Sequence, residues 1–229
     1  MCGRFFTDLT WSELHALYAL NGTPLNLRAR YNIAPTQDVE VVRLGTDGKR
    51  YLSRLRWGLI PAWAKDAKGP PMFNARADTI TEKPSFREAF VRRRCIVPAS
   101  GWYEWQQAGK AKRPHLMMRK DGTPLAMAGI WESWTDKATG EVIESVAIVT
   151  TEANDLCAAV HDRMPVLLDP ADFPAWLGEG PATPRDLLAL LKPYPPDALE
   201  IREVGPRIGN VRNDDADLIK PAERTDLFF

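Results

Sequence analysis

The sequence predicts an α+β protein whose core is a curved, barrel-like and mostly antiparallel sheet flanked by short helices. Apolar runs of strand length follow one another along the chain, hairpin-type turns separate several of them, and helical patterns are few and short. The chain has 229 residues, 45% of them hydrophobic, which suffices for one core. Its 19 prolines are scattered rather than gathered in a linker. We therefore expect a single domain over residues 1–229, with a loosely held acidic end from about residue 213.

The apolar runs account for the strands of this sheet. They cover residues 39–44, 51–59, 95–105, 115–119, 125–134, 142–150 and 199–204. Residues 46–48, 120–122 and 138–140 read Thr-Asp-Gly, Lys-Asp-Gly and Ala-Thr-Gly, which are sequences typical of hairpin turns. The runs on either side of each turn should therefore pair antiparallel.

Four segments have helical patterns. Thr10 with Glu13 is a capping box that begins a helix through about Leu20, and Ser85 with Glu88 begins a second through about residue 93. Residues 152–160 and 184–191 are also predicted to be helical. All four are short, so the helices are expected to flank the sheet.

The formal net charge is zero, but the charges are unevenly distributed along the chain. Residues 1–120 contain 21 Lys or Arg and 10 Asp or Glu, and the remaining residues carry the opposite excess. This split indicates a basic surface that is a candidate site for phosphates. Basic runs such as residues 92–94 also commonly do no more than solvate the end of a helix.

Several classes of protein are excluded by the composition. No segment approaches the roughly 18–20 apolar residues that cross a membrane, and the first ten residues lack the apolar stretch of a secretion signal. The three cysteines, Cys2, Cys95 and Cys157, include no C-x-x-C pair. We expect a cytoplasmic monomer with no membrane contact, no metal and no cofactor.

Cys2 is the first candidate for chemistry. Initiator methionine is commonly trimmed before a small residue, and trimming would leave Cys2 with a free α-amine beside its thiol. These groups have pKa values of about 7.7–8.0 and about 8.5, so both are partly nucleophilic near neutral pH. Together they can convert an aldehyde first to an imine and then to a five-membered thiazolidine ring. The alternative is that the cysteine is incidental and frays with the terminus.

Three other residues are candidates for moving protons or orienting groups. Glu104 lies among aromatic residues, an environment that raises a carboxyl pKa towards a useful value. His161 follows an apolar segment and titrates near neutral pH by default, and Asn74 can orient an amine or thiol. Each has a purely structural alternative: a surface strand residue, a scaffold histidine and a turn cap.

The order of six sequence blocks makes the assignment specific. The blocks are MCGRF, YNIAPTQ, RWGLIPAWAKD, FNARADTI, GWYEW and HDRMPV. In this order they resemble the SRAP family, named for SOS response-associated peptidase, which includes abasic site processing proteins. The resemblance runs from Met1 to about Leu168, with a looser match in IGNVRND. It implies a single SRAP domain with a barrel-like core, a basic groove for single-stranded DNA and covalent bonding of the N-terminal cysteine to the ring-opened sugar of an abasic site.

The resemblance also implies roles for individual residues. Cys2 is expected to be the crosslinking nucleophile, Glu104 to move protons during imine formation, His161 to protonate the sugar ring oxygen, and Asn74 to hold the N-terminus and the sugar in register. Arg4 and Arg76 are expected to pair with phosphates, and Trp63 and Trp105 to stack on bases. Pro35, Thr150 and Arg163 are expected to line the groove. Core packing is the alternative for both tryptophans, and it is the role expected for Trp11, Trp131 and Trp176.

Three other functions are compatible with parts of the sequence. An N-terminal Cys-Gly also begins class II glutamine amidotransferases, although the asparagine-glycine and arginine-glycine-aspartate motifs of that class are missing. A peptidase that cleaves beyond its own Met1 could use Cys2, Glu104 and His161. A non-covalent module for single-stranded DNA would not need Cys2 at all.

Overall fold

A computed structural model describes residues 2–223 of the chain. It is an α+β structure with twelve strands and five short α-helices within those residues, which confirms the predicted fold class. The strands are β1 (Phe5–Thr7), β2 (Arg30–Ile33), β3 (Asp38–Leu44), β4 (Arg50–Trp57), β5 (Asn74–Arg76), β6 (Arg94–Ala99), β7 (Gly101–Ala108), β8 (Ala111–Arg119), β9 (Leu125–Thr135), β10 (Val142–Glu152), β11 (Arg163–Pro165) and β12 (Leu199–Glu203). The helices are α1 (Trp11–Tyr18), α2 (Arg87–Arg92), α3 (Asp155–Ala158), α4 (Phe173–Leu177) and α5 (Pro184–Ala189).

Five strands close into a barrel. β10, β4, β3, β6 and β9 pair in that order, and β9 pairs with β10 to complete the ring. The β4–β10 pairing is parallel and the other four are antiparallel. Successive residues of β10 point to opposite sides, as they do in any strand. Val146 and Ile148 pack in one core cluster with Cys2, and Ala147 and Val149 pack in another with residues of α1, α2 and α4.

A second sheet of five antiparallel strands has the order β12-β8-β7-β1-β2. The chain passes from the barrel into this sheet at Ser100, the one residue between β6 and β7. The prediction of a single strand over residues 95–105 is therefore wrong, because the apolar pattern continues across the point where the chain changes sheets. Gly101 allows this passage, since a Cβ there would lie 2.8 Å from the Met117 carbonyl oxygen.

Two of the three predicted hairpins are present. Residues 46–48 connect β3 to β4, and residues 138–140 connect β9 to β10. Residues 120–122 do form a turn, but they connect β8 of the second sheet to β9 of the barrel, so the third hairpin prediction is wrong. The hairpin that the sequence did not reveal joins β7 to β8, with Gly109 at φ 61° in its turn.

The helices are shorter than the patterns predict. The capping box of Thr10 and Glu13 begins α1 as expected. Of residues 152–160, only α3 is helical, because Glu152 belongs to β10 and Asn154 caps the helix through a 2.8 Å hydrogen bond from the Cys157 N–H. None of the helices within residues 2–223 has the length and apolar character needed to cross a membrane.

The C-terminal stretch is packed as far as residue 223. Leu218 is buried against the second sheet, and the side chain of Asn32 donates hydrogen bonds to the carbonyls of Asn210 and Asn213. The expectation of a loosely held end from about residue 213 stays a prediction. Residues 224–229, which that expectation also covered, lie outside the described residues.

Candidate active site between the two sheets

Cys2 lies in the apolar core rather than at a frayed terminus. It is fully buried among Phe5, Trp57 and Trp102. Phe5 of β1 pairs with β7 on one side and β2 on the other, and its ring meets the edge of Trp57 at 5.1 Å between centroids. The start of the chain is thus held by strand pairing and by aromatic packing, which fixes where residue 2 sits.

Asn74 makes a direct contact with Cys2. Its Nδ2 donates a 2.9 Å hydrogen bond to the Cys2 carbonyl oxygen. The strand that carries Asn74 pairs in parallel with β10, opposite Ile148. The preceding carbonyl, of Phe73, accepts the indole N–H of Trp57 at 2.9 Å. Asn74 is therefore placed by the barrel, and its amide links the barrel to the N-terminus.

The thiol of Cys2 is protonated at neutral pH in this environment. Burial raises the pKa of the Cys2 thiol far above its ordinary value, and the negative charge of Glu104 raises it further. Burial, followed by the negative charge of Glu104, also raises the pKa of the Cys157 thiol, to about 12. Both thiols thus lie within the electrostatic field of one carboxylate.

Glu104 is a buried acid on β7, and only 3% of its surface is exposed. Burial raises the pKa of its carboxyl to about 7, and the nearby charge of Asp162 acts in the same direction. At neutral pH the protonated and ionised forms are therefore both populated. A group in this state can give a proton and take one back with little free-energy cost.

His161 lies in the loop between β10 and β11. Its Nδ1 accepts a hydrogen bond of 3.0 Å from the Arg163 N–H and lies 2.9 Å from Asp162 Oδ1. The carboxylate favours the imidazolium, but burial dominates and lowers the pKa of His161. The neutral ring therefore prevails at neutral pH, with Nδ1 accepting the backbone N–H and the proton on Nε2.

Cys2, Asn74, Glu104 and His161 converge on one place. A hydrogen bond joins Cys2 to Asn74, electrostatic coupling joins Cys2 to Glu104, and Asp162 acts on both Glu104 and His161. The second sheet supplies Cys2 and Glu104, and the barrel strands and their connecting loop supply Asn74 and His161. The site therefore lies between the two sheets.

Three of the candidate DNA-binding residues, Arg76, Thr150 and Arg163, form one cluster. Thr150 of β10 lies opposite Arg76 of β5, and its carbonyl accepts a 2.7 Å hydrogen bond from Arg163. Asp78 pairs with Arg76 at 2.6 Å and lies 3.9 Å from Arg163. The charge of Arg76 also contributes to the lowered pKa of Arg163, after the larger effect of burial. Arg76 keeps 58% of its side chain exposed, and the two guanidinium groups of Arg76 and Arg163 outweigh the one Asp78 carboxylate between them.

Arg4 is bound to the protein itself. Its Nη1 donates to Asn32 Oδ1 at 2.6 Å and to the Ile208 carbonyl at 2.9 Å, and the guanidinium lies 5.7 Å from the ring centroid of Trp105. Asn32 is buried and was not singled out from the sequence. A polar residue inside the apolar YNIAPTQ block was the one signal for it.

Trp63 is 64% exposed and sits on a loop of fixed shape. The loop begins and ends at a bridge between Leu59 and Met72, and the Ala64 carbonyl accepts the Trp134 indole N–H at 2.8 Å. A cavity of about 230 Å³ lies within it. Pro35 lies just before Thr36, which has a left-handed φ of 76°.

Comparison with known proteins identifies the family. The chain belongs to the SRAP family, described as SOS response associated peptidase, whose family model matches residues 1–211. It is 36% identical over 225 residues to the abasic site processing protein YoqW of Bacillus subtilis, covering 96% of this chain and 99% of that protein. It is 31% identical over 230 residues to the abasic site processing protein YedK of Escherichia coli, covering 96% and 100%.

The fold matches solved structures over nearly the whole chain. A crystal structure of a protein from Bacteroides thetaiotaomicron is similar with a TM-score of 0.86 and 28% identity, covering 96% of this chain and 100% of that one. A protein from Bordetella bronchiseptica is similar with a TM-score of 0.77 and 27% identity, covering 89% and 100%.

Proposed function

We propose that this protein processes abasic sites in single-stranded DNA by forming a covalent crosslink through Cys2 after removal of Met1. The observation that carries the proposal is the placement of Cys2, which is held by Asn74 and lies within the electrostatic field of Glu104, a carboxyl group whose pKa is about 7. The names of the relatives YoqW and YedK describe abasic site processing and support the same substrate.

The α-amine of Cys2 reacts first. An abasic deoxyribose opens to an aldehyde, and the amine adds to its C1′ to give a carbinolamine. Loss of water leaves a protonated imine, and the sulfur then bonds to the imine carbon as the thiol proton leaves to Glu104, so the nitrogen keeps the proton it already has. The net change is aldehyde plus aminothiol giving thiazolidine plus water. Because burial keeps the thiol protonated, the amine is the better nucleophile until the imine has formed.

Glu104 supplies the proton transfers of this sequence. In its protonated form it gives a proton to the departing water of the carbinolamine. The resulting carboxylate takes the proton from the Cys2 thiol as the sulfur attacks. With its pKa raised to about 7, both forms are present at the pH of the reaction.

His161 and Asn74 act on the sugar and on the nucleophile. The Arg163 N–H orients the His161 ring through Nδ1, so Nε2 is the nitrogen that exchanges a proton with the sugar ring oxygen as the ring opens. Asn74 Oδ1 is buried and accepts no hydrogen bond from the described residues, while its Nδ2 binds the Cys2 carbonyl. That oxygen is an acceptor for an N–H of the freed α-amine.

The DNA strand is bound mainly through its phosphates. Arg76 and Arg163 form the positive cluster that neutralises phosphates next to the lesion, and Thr150 lies between them. Trp63 is the exposed aromatic surface for a neighbouring base. Arg4, Pro35 and Trp105 line the same groove, with Arg4 contributing through its contact with Trp105.

The test is to mix the purified protein with an oligonucleotide that carries one abasic site and to separate the products under denaturing conditions. Mass spectrometry first establishes that Met1 has been removed. The wild type should give a shifted band that survives denaturation, and Cys2→Ala should give none. Cys2→Ser should give an adduct that persists only after borohydride reduction, because serine retains the amine and loses the thiol.

Cys157→Ser is the matched control. Cys157 is also a buried thiol within the field of Glu104, so removing it should leave the stable adduct intact. A stable adduct from Cys2→Ala, or from protein that retains Met1, would overturn the proposal. Parallel incubations with glutamine and with unrelated peptides test the amidotransferase and peptidase alternatives, which predict released ammonia or cleaved peptide.

A further inference from the structure

Gln106 connects the strand that carries Glu104 to the loop that carries His161. It lies two residues after Glu104 on β7, so both side chains point to the same face of the second sheet. Its Nε2 donates a 2.8 Å hydrogen bond to the carbonyl oxygen of Ala159, two residues before His161. This carbonyl follows the end of α3, where backbone acceptors lack partners within the helix.

The loop that Gln106 reaches is rigid in itself. The Ala153 N–H donates a 2.9 Å hydrogen bond to the Asp162 carbonyl, which joins the two ends of the loop. Inside it, Asn154 caps α3 and donates to the Tyr194 carbonyl, and the His161 N–H donates to the Cys157 carbonyl at 2.9 Å. Because these hydrogen bonds hold the loop together, the contact of Gln106 with Ala159 also helps to fix the position of His161.

We propose that Gln106 is a positioning residue that sets the separation of Glu104 and His161. This inference rests on the proposed function, since it concerns the two groups that move protons there. Glu104 belongs to the second sheet and His161 to a loop of the barrel, and the Gln106 hydrogen bond directly links the strand that carries the one to the loop that carries the other. Misplacing reacting groups by about 1 Å can cost about 100-fold in rate.

Gln107 is the matched control. It is the next residue of β7 and points to the opposite face. Its Nε2 donates a 2.6 Å hydrogen bond to the Gly109 carbonyl within its own hairpin. The two neighbouring glutamines therefore make the same kind of bond, and only one of these bonds reaches the His161 loop.

The experiment compares Gln106→Met with Gln107→Met in four measurements. These are the single-turnover rate of adduct formation, the affinity for an oligonucleotide with an unreactive tetrahydrofuran abasic analogue, the His161 titration by NMR, and Tm. Gln106→Met should slow adduct formation at least about 10-fold, shift the His161 titration and leave the affinity unchanged. Gln107→Met should behave as the wild type. Gln106→Leu, which also loses the amide donor and adds no charge, should reproduce the Gln106→Met result.

The possible failures are distinguishable. If the wild type forms no adduct, the proposed function falls. If the wild type reacts and the Gln106 and Gln107 variants have equal rates, only the positioning role falls. A loss of rate in the Gln106 variants that is matched by an equal loss of affinity, with an unchanged His161 titration, would also overturn it.

Discussion

The amide of Asn74 donates a 2.9 Å hydrogen bond to the backbone carbonyl of Cys2, so a side chain of the barrel binds the backbone at the start of the chain. The contact uses the Cys2 backbone and does not involve the thiol. Its donor lies on a three-residue strand that is paired with the longer β10. The orientation of Cys2 thus depends on a residue 72 positions away in sequence.

Replacing Asn74 by alanine should slow adduct formation at least about 10-fold and cost about 1 kcal/mol of stability. The rate falls because the N-terminus loses its orienting donor, and the stability falls because one hydrogen bond is lost and the Cys2 carbonyl stays buried. Single-turnover gels and urea unfolding measure the two effects. Asn210→Ala, at an exposed asparagine of the C-terminal stretch, is the control and should change neither quantity.

The rate of adduct formation should have a bell-shaped dependence on pH. The rising limb comes from deprotonation of the α-amine, with a pKa of about 7.7–8.0. The falling limb comes from loss of the Glu104 proton, at about 7. Glu104→Gln should lose the falling limb and be slower at the optimum by about 100-fold or more. A profile of unchanged shape in Glu104→Gln would show that another group supplies the proton.

Glu104 should make folding stability decrease as pH rises from about 4.5 to about 7. Its pKa is higher in the folded state than in the unfolded chain, so the folded state binds more protons in this window and loses stability with rising pH. The full effect is about 3 kcal/mol. Glu104→Gln should therefore flatten this part of the pH profile and be more stable than the wild type at pH 8.

Glu132→Gln is the control for that measurement. Glu132 is also buried, but it pairs with Arg93 at 2.7 Å. Removing its charge leaves the arginine without its partner, which destabilises the fold at neutral pH. Denaturant unfolding at several pH values should give opposite signs for the two substitutions. If both substitutions lowered the free energy of unfolding by similar amounts, the surroundings of Glu104 would stabilise its ionised form.

Arg76→Ala should weaken binding to single-stranded DNA about equally for all sequences. It should also reduce the slope of log affinity against log salt by about 0.7, the value for one phosphate contact on a single strand. Arg92→Ala is the control, because Arg92 is also an exposed arginine paired with an acidic residue, and it lies on α2 away from the candidate site. Titrations at several salt concentrations check both variants, and an unchanged slope for Arg76→Ala would remove it from the DNA site.

The fold was largely predictable because its longer strands are apolar enough to be recognised by pattern. The strands β1, β2, β5 and β11 were missed, since three or four residues are too few to show an alternation of apolar and polar side chains. The passage at Ser100 was missed for a different reason. The apolar pattern indicates which residues are buried, but it does not indicate to which of the two sheets they belong.

The residues proposed for the chemistry of the candidate site could be predicted from the sequence, whereas the residues that hold neighbouring groups in place could not. Cys2 and Glu104 could be proposed from the sequence because an N-terminal aminothiol and an acid among aromatic residues would have distinctive reactivity. Asn32 and Gln106 were missed because their partners are backbone carbonyls of Ile208 and Ala159, which are 176 and 53 residues away. Backbone acceptors leave no signature in an amino-acid sequence, so contacts of this kind are visible only in the fold.

The single residue that separates β6 from β7 has a consequence for engineering the protein. Ser100 is the one residue that connects the barrel to the second sheet at this point. An insertion of one residue there would shift the register of β7 against its neighbouring strands, and Glu104 would then point to the opposite face of its sheet. Variants with altered reactivity are therefore better sought by substitution around Ser100 than by insertion.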